Sequence, residues 1–309
     1  LLEKIKNLDI SLEDDELTYE ENLYLQNVSF QNFYDLLFPY GEWIQVTKDD
    51  IEEDLNEGEG QGRNFNSIQE EEFLFIWKPN ENTDWKPYLN GRWIYTEQGW
   101  FWESSDKWGN YTYNYGRWWN SKKFGWVWLP GYVWAPSWVR WKISEDHKYI
   151  GWVGLTPKAK WEYIVGINEN NYRYKNKNNE WVFTDINNFS DEINHNATIK
   201  SNKINDILTS CKDIINVTVI NDRINSLGPD VNKIESISGK KMKRKQLRFH
   251  KNNRKIEIGE NDIVVGKSKL SRYDNKEVID KPKKFKRSEK VKKMIKKRIK
   301  EKIKHRGRK

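Results

Sequence analysis

An all-β fold of repeated antiparallel hairpins is predicted from three observations. All 17 Trp of the 309 residues fall between Trp43 and Trp181, a clustering that uniform composition bias does not produce. Within that span Gly99-Trp100, Gly125-Trp126 and Gly151-Trp152 recur every 26 residues, the mark of an internally repeated unit. Trp100 and Trp102 lie two residues apart, as do Trp126 and Trp128. That spacing puts both rings on one face of a strand, whereas a helix separates them by about 200°.

The elements follow in order. Pro39-Tyr40-Gly41-Glu42-Trp43 opens a copy that closes at Phe73–Trp77 after an insertion. Gly91-Arg92-Trp93 leads to Gly99-Trp100-Phe101-Trp102, and Gly116-Arg117-Trp118 leads to Gly125-Trp126-Val127-Trp128. A degraded copy runs from Trp138-Val139-Arg140-Trp141 to Gly151-Trp152. Gly-containing segments between the runs predict turns, so each copy reads as a hairpin. A lone hairpin is marginal in water; the copies are expected to pack as a compact array or a small barrel with Trp filling the core.

Two roles for the rings stay open. Burial makes them core; exposure makes Arg92, Trp93, Trp100, Trp102, Arg117, Trp118, Trp126, Trp128, Trp134, Arg140, Trp141 and Trp152 an aromatic and Arg surface for a protein or glycan partner. In the Arg-Trp pairs adjacent strand residues face opposite ways. Inward Trp therefore implies either an outer basic stripe or Arg stacked on a neighbouring copy's ring.

The blocks Pro39-Tyr40-Gly41-Glu42-Trp43, Gly125-Trp126-Val127-Trp128-Leu129-Pro130-Gly131 and Trp134-Ala135-Pro136-Ser137-Trp138-Val139-Arg140-Trp141 carry a resemblance to a family of Trp-rich bacterial envelope proteins of unknown function. It spans roughly residues 28–247. The resemblance implies location in the periplasm or at the cell surface and brings no catalytic residue with it. An acidic insertion at 47–72 and a basic C-terminus depart from the pattern.

Charge divides the chain. The net charge is +8, yet residues 240–309 hold 30 Lys and Arg against 8 Asp and Glu, and residues 1–239 hold 24 against 38. An acidic front and a basic tail are expected to meet within one molecule or between neighbours, or else the tail engages a polyanion. Val291, Met294, Ile295, Ile299 and Ile303 fall at helical spacing among lysines. The stretch 281–309 thus reads as a basic helix that contacts an anionic surface or extends into solvent. Nucleic acid is disfavoured, because the basic run holds no aromatic beyond Phe285 and no reading module accompanies it.

Four regions are delimited: an acidic segment at 1–27, the Trp-rich repeats at 28–160, an Asn/Ile/Lys-rich β module at 161–275, and the tail at 276–309. In the third, 216–220, 256–258 and 262–265 read as strands, and 204–215 as a short helix or a strand pair. Gly228-Pro229-Asp230 is a turn.

No catalytic constellation or cofactor site is predicted. The four His are scattered and the single Cys211, read as a small buried residue, excludes a Cys-based zinc site and an intrachain disulfide. Gly58-Glu59-Gly60-Gln61-Gly62 has no following Lys-Ser/Thr and reads as a flexible loop. Asp14-Asp15 and Asp49-Asp50 are placed in solvated acidic loops. Glu103 and Asp106 are the acids embedded among the tryptophans, and a glycosidase needs two acids across a cleft. The chain begins Leu1-Leu2-Glu3-Lys4 without an apolar leader region, and no stretch approaches a membrane helix. The expected role is a non-enzymatic interaction or structural module of the envelope with a polyanion-contacting tail. The rivals are a glycan-binding or glycan-active protein, and nucleic-acid or anionic-lipid binding through the tail.

Overall fold

A computed structural model of the chain describes residues 30–55, 73–131, 133–159, 166–168, 172, 174–220, 223–250, 256–266 and 282–306. The acidic segment at 1–27, the Gly58–Gly62 loop and the acidic pair Asp14-Asp15 lie outside them.

The first described element is α1 (Phe30–Leu37), whose Phe30, Phe33, Tyr34 and Leu37 form one buried stripe at the i, i+3, i+4, i+7 spacing of an amphipathic helix. Then come β1 (Gly41–Val46), α2 (Lys48–Leu55) and β2 (Leu74–Pro79). Three hairpins follow: β3 (Gly91–Thr96) with β4 (Gly99–Ser104), β5 (Arg117–Ser121) with β6 (Gly125–Leu129), and β7 (Val139–Ser144) with β8 (Tyr149–Gly154). A short helix α3 (Gly109–Thr112) separates the first two hairpins.

The predicted repeat is visible in the register. Trp43 faces Trp77, Trp93 faces Trp102, Trp118 faces Trp128, and Trp141 faces Trp152. Four hairpins therefore each carry a cross-strand Trp pair. The equivalence differs from the sequence reading in the last copy. Trp152 occupies the place of Trp102 and Trp128, and the counterpart of Trp100 and Trp126 is Ile150, which faces Ile143. The regular Gly-Trp spacing conceals this two-residue displacement because one motif serves two positions. Gly99 and Gly125 sit at positive φ in hairpin turns, whereas Gly151 lies within β8, where a Cβ would strike the Phe183 ring at 2.4 Å.

Later strands complete these sheets: β9 (Ile167–Asn168), β10 (Val182–Asp185), β11 (Cys211–Ile214), β12 (Asn216–Ile220) and β13 (Arg223–Ser226). The segment 204–215 is both helix and strand, with α4 (Ser201–Thr209) running into β11. The α5 helix (Val231–Ser238) is capped by Asp230, which accepts from the Lys233 amide at 2.8 Å, and ends at left-handed Gly239. The remaining described strands and α-helix are β14 (Gln246–His250), β15 (Glu257–Ile258), β16 (Asp262–Gly266), β17 (Lys286–Arg287) and α6 (Glu289–Arg306).

Among the described residues four sheets result, with strand orders β17-β1-β2-β6-β5, β10-β8-β7-β11, β3-β4-β13-β12-β9 and β14-β16-β15. The fold is β-rich, as predicted. All four sheets are open, so the array alternative holds and the barrel does not. The strands after residue 160 pair directly with the repeats, β11 on β7, β10 on β8 and β13 beside β4. Residues 47–55 are not a solvated loop. They form α2, entered through a capping box in which the Asp50 amide donates to Thr47 Oγ1 at 3.1 Å and the Thr47 amide donates to Asp50 Oδ2 at 3.1 Å.

Candidate functional site

Of the two roles left open for the rings, core is the one that burial realises. Trp93, Trp100, Trp102, Trp118, Trp128, Trp134, Trp141 and Trp152 are buried, and Trp126 is half-buried. The rings meet edge-on or tilted: Trp93 lies 4.9 Å from Trp102, 4.4 Å from Trp141 and 5.6 Å from Trp152. Each buried Trp removes about 200 Å² from water, worth about 5 kcal/mol. Carbonyls between the strands take up indole N–H groups: Trp100 donates to Pro229 O at 2.8 Å, Trp118 to Thr112 O at the end of α3 at 2.9 Å, Trp128 to Tyr115 O at 2.9 Å and Trp152 to Tyr88 O at 2.9 Å. These hydrogen bonds tie the connecting segments to the aromatic core.

The three Arg form no outer stripe. Arg92 pairs with Glu103 at 2.7 Å. Arg117 stacks on Trp138 at 3.7 Å and donates to Gly116 O at 2.8 Å; burial pushes its guanidinium down to about 10. Arg140 pairs with Asp213 at 2.9 Å and donates to Tyr174 O at 2.7 Å. The stacking alternative is thus realised by Arg117.

The two embedded acids are separately engaged. Glu103 also pairs with the buried Lys245 at 2.9 Å. Burial raises the Asp106 carboxyl, opposed by donation from Tyr113 Oη at 2.6 Å and by Asn90 at 3.4 Å. Cys211 is half-buried rather than buried; burial raises its thiol to about 11, and the sulfur donates to Ile207 O at 3.1 Å. Among the described residues no His, Cys, Asp and Glu group is arranged to hold a metal.

The acidic front and basic tail meet within one molecule. β17 adds in parallel to the edge of β1, with Ile44 opposite Lys286 and Gln45 opposite Arg287. The Ser288 amide donates to Gln45 O at 2.9 Å, and its hydroxyl donates to Asp50 Oδ2 at 2.7 Å. Lys286 pairs with Glu42 and Lys290 with Glu53. Lys123, from the β5–β6 turn, reaches Asp50 at 3.1 Å. Burial works to raise the Asp50 carboxyl, but the hydrogen bonds from Ser288, Thr47 and Lys123 outweigh it and hold the group below the ordinary carboxylate value. Donation from Lys290 likewise lowers Glu53.

From this root α6 leads away. Its apolar stripe grades from Val291, 0% exposed, through half-buried Met294 and Ile295, to Ile299 at 51% and Ile303 at 65%. Lys293, Lys296, Lys297 and Lys300 are exposed around it. The sequence showed the stripe but concealed the root. Its signal was Ser288, whose hydroxyl accepts from the Val291 amide at 3.3 Å, an N-cap residue just before the periodic run.

Residues 62–159, which include the three later hairpins, match a family described as "Family of unknown function (DUF6600)". No curated protein and no solved structure matches the chain.

Proposed function

We propose that this chain is a non-catalytic module of the bacterial envelope whose Trp-packed β array is a carrier for a basic amphipathic helix that lies on an anionic lipid surface. The burial gradient along α6 carries the reading. One stripe is core at Val291 and exposed at Ile299 and Ile303, flanked by lysines. A basic helix with an apolar face binds by burying that face at the headgroup boundary while lysines meet anionic lipid. An anionic polysaccharide or nucleic acid is bound by charge and has no use for the isoleucines. The family resemblance supports the envelope. Among the described residues no helix is long and apolar enough to cross a membrane, so contact through α6 is peripheral.

Flotation with phosphatidylglycerol-containing vesicles tests this. The full chain is expected to float with anionic vesicles and not with phosphatidylcholine alone. Ile299→Ser with Ile303→Ser is expected to weaken binding about thirtyfold, since the two lost contacts cost on the order of 1 kcal/mol each. Retention of the variant on anionic vesicles at wild-type affinity, or binding to heparin alone, would make α6 a purely electrostatic element.

A further inference from the structure

A second surface is independent of α6. A cleft of about 870 Å³ lies between the 78–86 connection of β2 to β3, the β5–β6 turn, and the 195–201 stretch entering α4. It falls within the volume range of small-ligand sites, and among the described residues none after Ser201 lines it.

Its chemistry is that of a polyol site. Seven of its twenty described lining residues carry a side-chain amide or hydroxyl, Asn82, Asn120, Asn196 and Thr198 among them. An apolar ligand would strip these groups of water without replacing their hydrogen bonds. Charge is nearly balanced, because Lys78 and Lys200 oppose Glu81 and Asp84. The remaining ammonium, Lys86, is turned to protein: it donates to Asn179 O at 3.0 Å and to Trp181 O at 2.7 Å. A polyanion therefore finds no basic cluster there.

Aromatic rings supply the other half. Trp126 stands in the hairpin place that Trp100 and Ile150 fill elsewhere, and both of those are 0% exposed. Trp126 instead stays half-buried, opposite Asn120 in the β5–β6 register, and lines the cleft together with half-buried Phe124. A ring that accepts the C–H face of a pyranose beside amides that bind its hydroxyls is the pairing an uncharged sugar requires. We infer that this cleft binds an uncharged oligosaccharide, with Trp126 as its stacking platform and Asn120 as a hydroxyl-binding partner.

Calorimetric titration of the full chain with maltohexaose, cellohexaose and chitohexaose tests this. At least one is expected to bind with a Kd of about 1 mM or tighter. Trp126→Ala is expected to weaken that affinity about tenfold, Trp126→Phe to hold it within about threefold, and Asn120→Ala to weaken it about fivefold. Circular dichroism establishes that each variant is folded. Ile299→Ser with Ile303→Ser is expected to bind the sugar as the wild type does, whatever its behaviour on vesicles. Absence of binding by all three sugars at about 10 mM, or affinity unchanged by both Trp126→Ala and Asn120→Ala, would overturn the inference.

Discussion

Tyr88 shows how single residues hold the repeats in register. Its backbone is left-handed at φ 60°, its hydroxyl donates to Tyr113 O at 3.0 Å and accepts from the Trp138 amide at 3.2 Å, and its carbonyl accepts from Trp152. Its ring stacks on Trp93 at 6.0 Å. Tyr88→Phe keeps the ring and strands both partners, so urea unfolding should show a loss of about 1–3 kcal/mol. At the root of α6, Asp50 sets a pH dependence. Its carboxyl is lowered from 3.8; the stability it adds is therefore complete above 3.8 and is lost as pH falls further, through the folded value. Amide exchange at Val291 should accelerate below that point relative to neighbours in the array, and Asp50→Asn should remove the step.

At the scale of elements, hairpins were legible because Trp alternation reports the strand period directly. Their exact equivalence was not, since Gly-Trp marks a turn at Gly99 and Gly125 but a close approach to Phe183 at Gly151. The acidic run at 48–55 read as solvated because its composition resembles a loop; Asp50 and Asp54 are nevertheless buried, tied to Ser288 and Lys123 and to the Lys122 amide. Such partners lie 68 or more residues away, and no local pattern announces them. The exposed aromatic surface was equally undecidable, because an i, i+2 pair fixes a face but not what covers it. Helix α6 depends on its first turn: Val291→Asp places an unpaired charge in the core, and limited proteolysis should then release the residues from β17 onward while the β array stays intact.

For the whole molecule, charge asymmetry is partly spent internally. Glu42 and Glu53 meet Lys286 and Lys290, which leaves the lysines farther along α6 facing outward. The two uses respond differently to salt. Exposed pairs are weak and screened, but the root also has the buried Ser288–Asp50 hydrogen bond and Val291. Raising NaCl to about 0.5 M should release anionic vesicles while Val291 keeps its exchange protection. The most direct test of the account places an environment-sensitive fluorophore on Ile303→Cys in a Cys211→Ser background and adds phosphatidylglycerol vesicles. A blue shift at position 303, absent from a control labelled at Asn232→Cys on the exposed side of α5, is the predicted result. An unshifted spectrum on chains that float with the vesicles would show that α6 is not the element that meets the membrane.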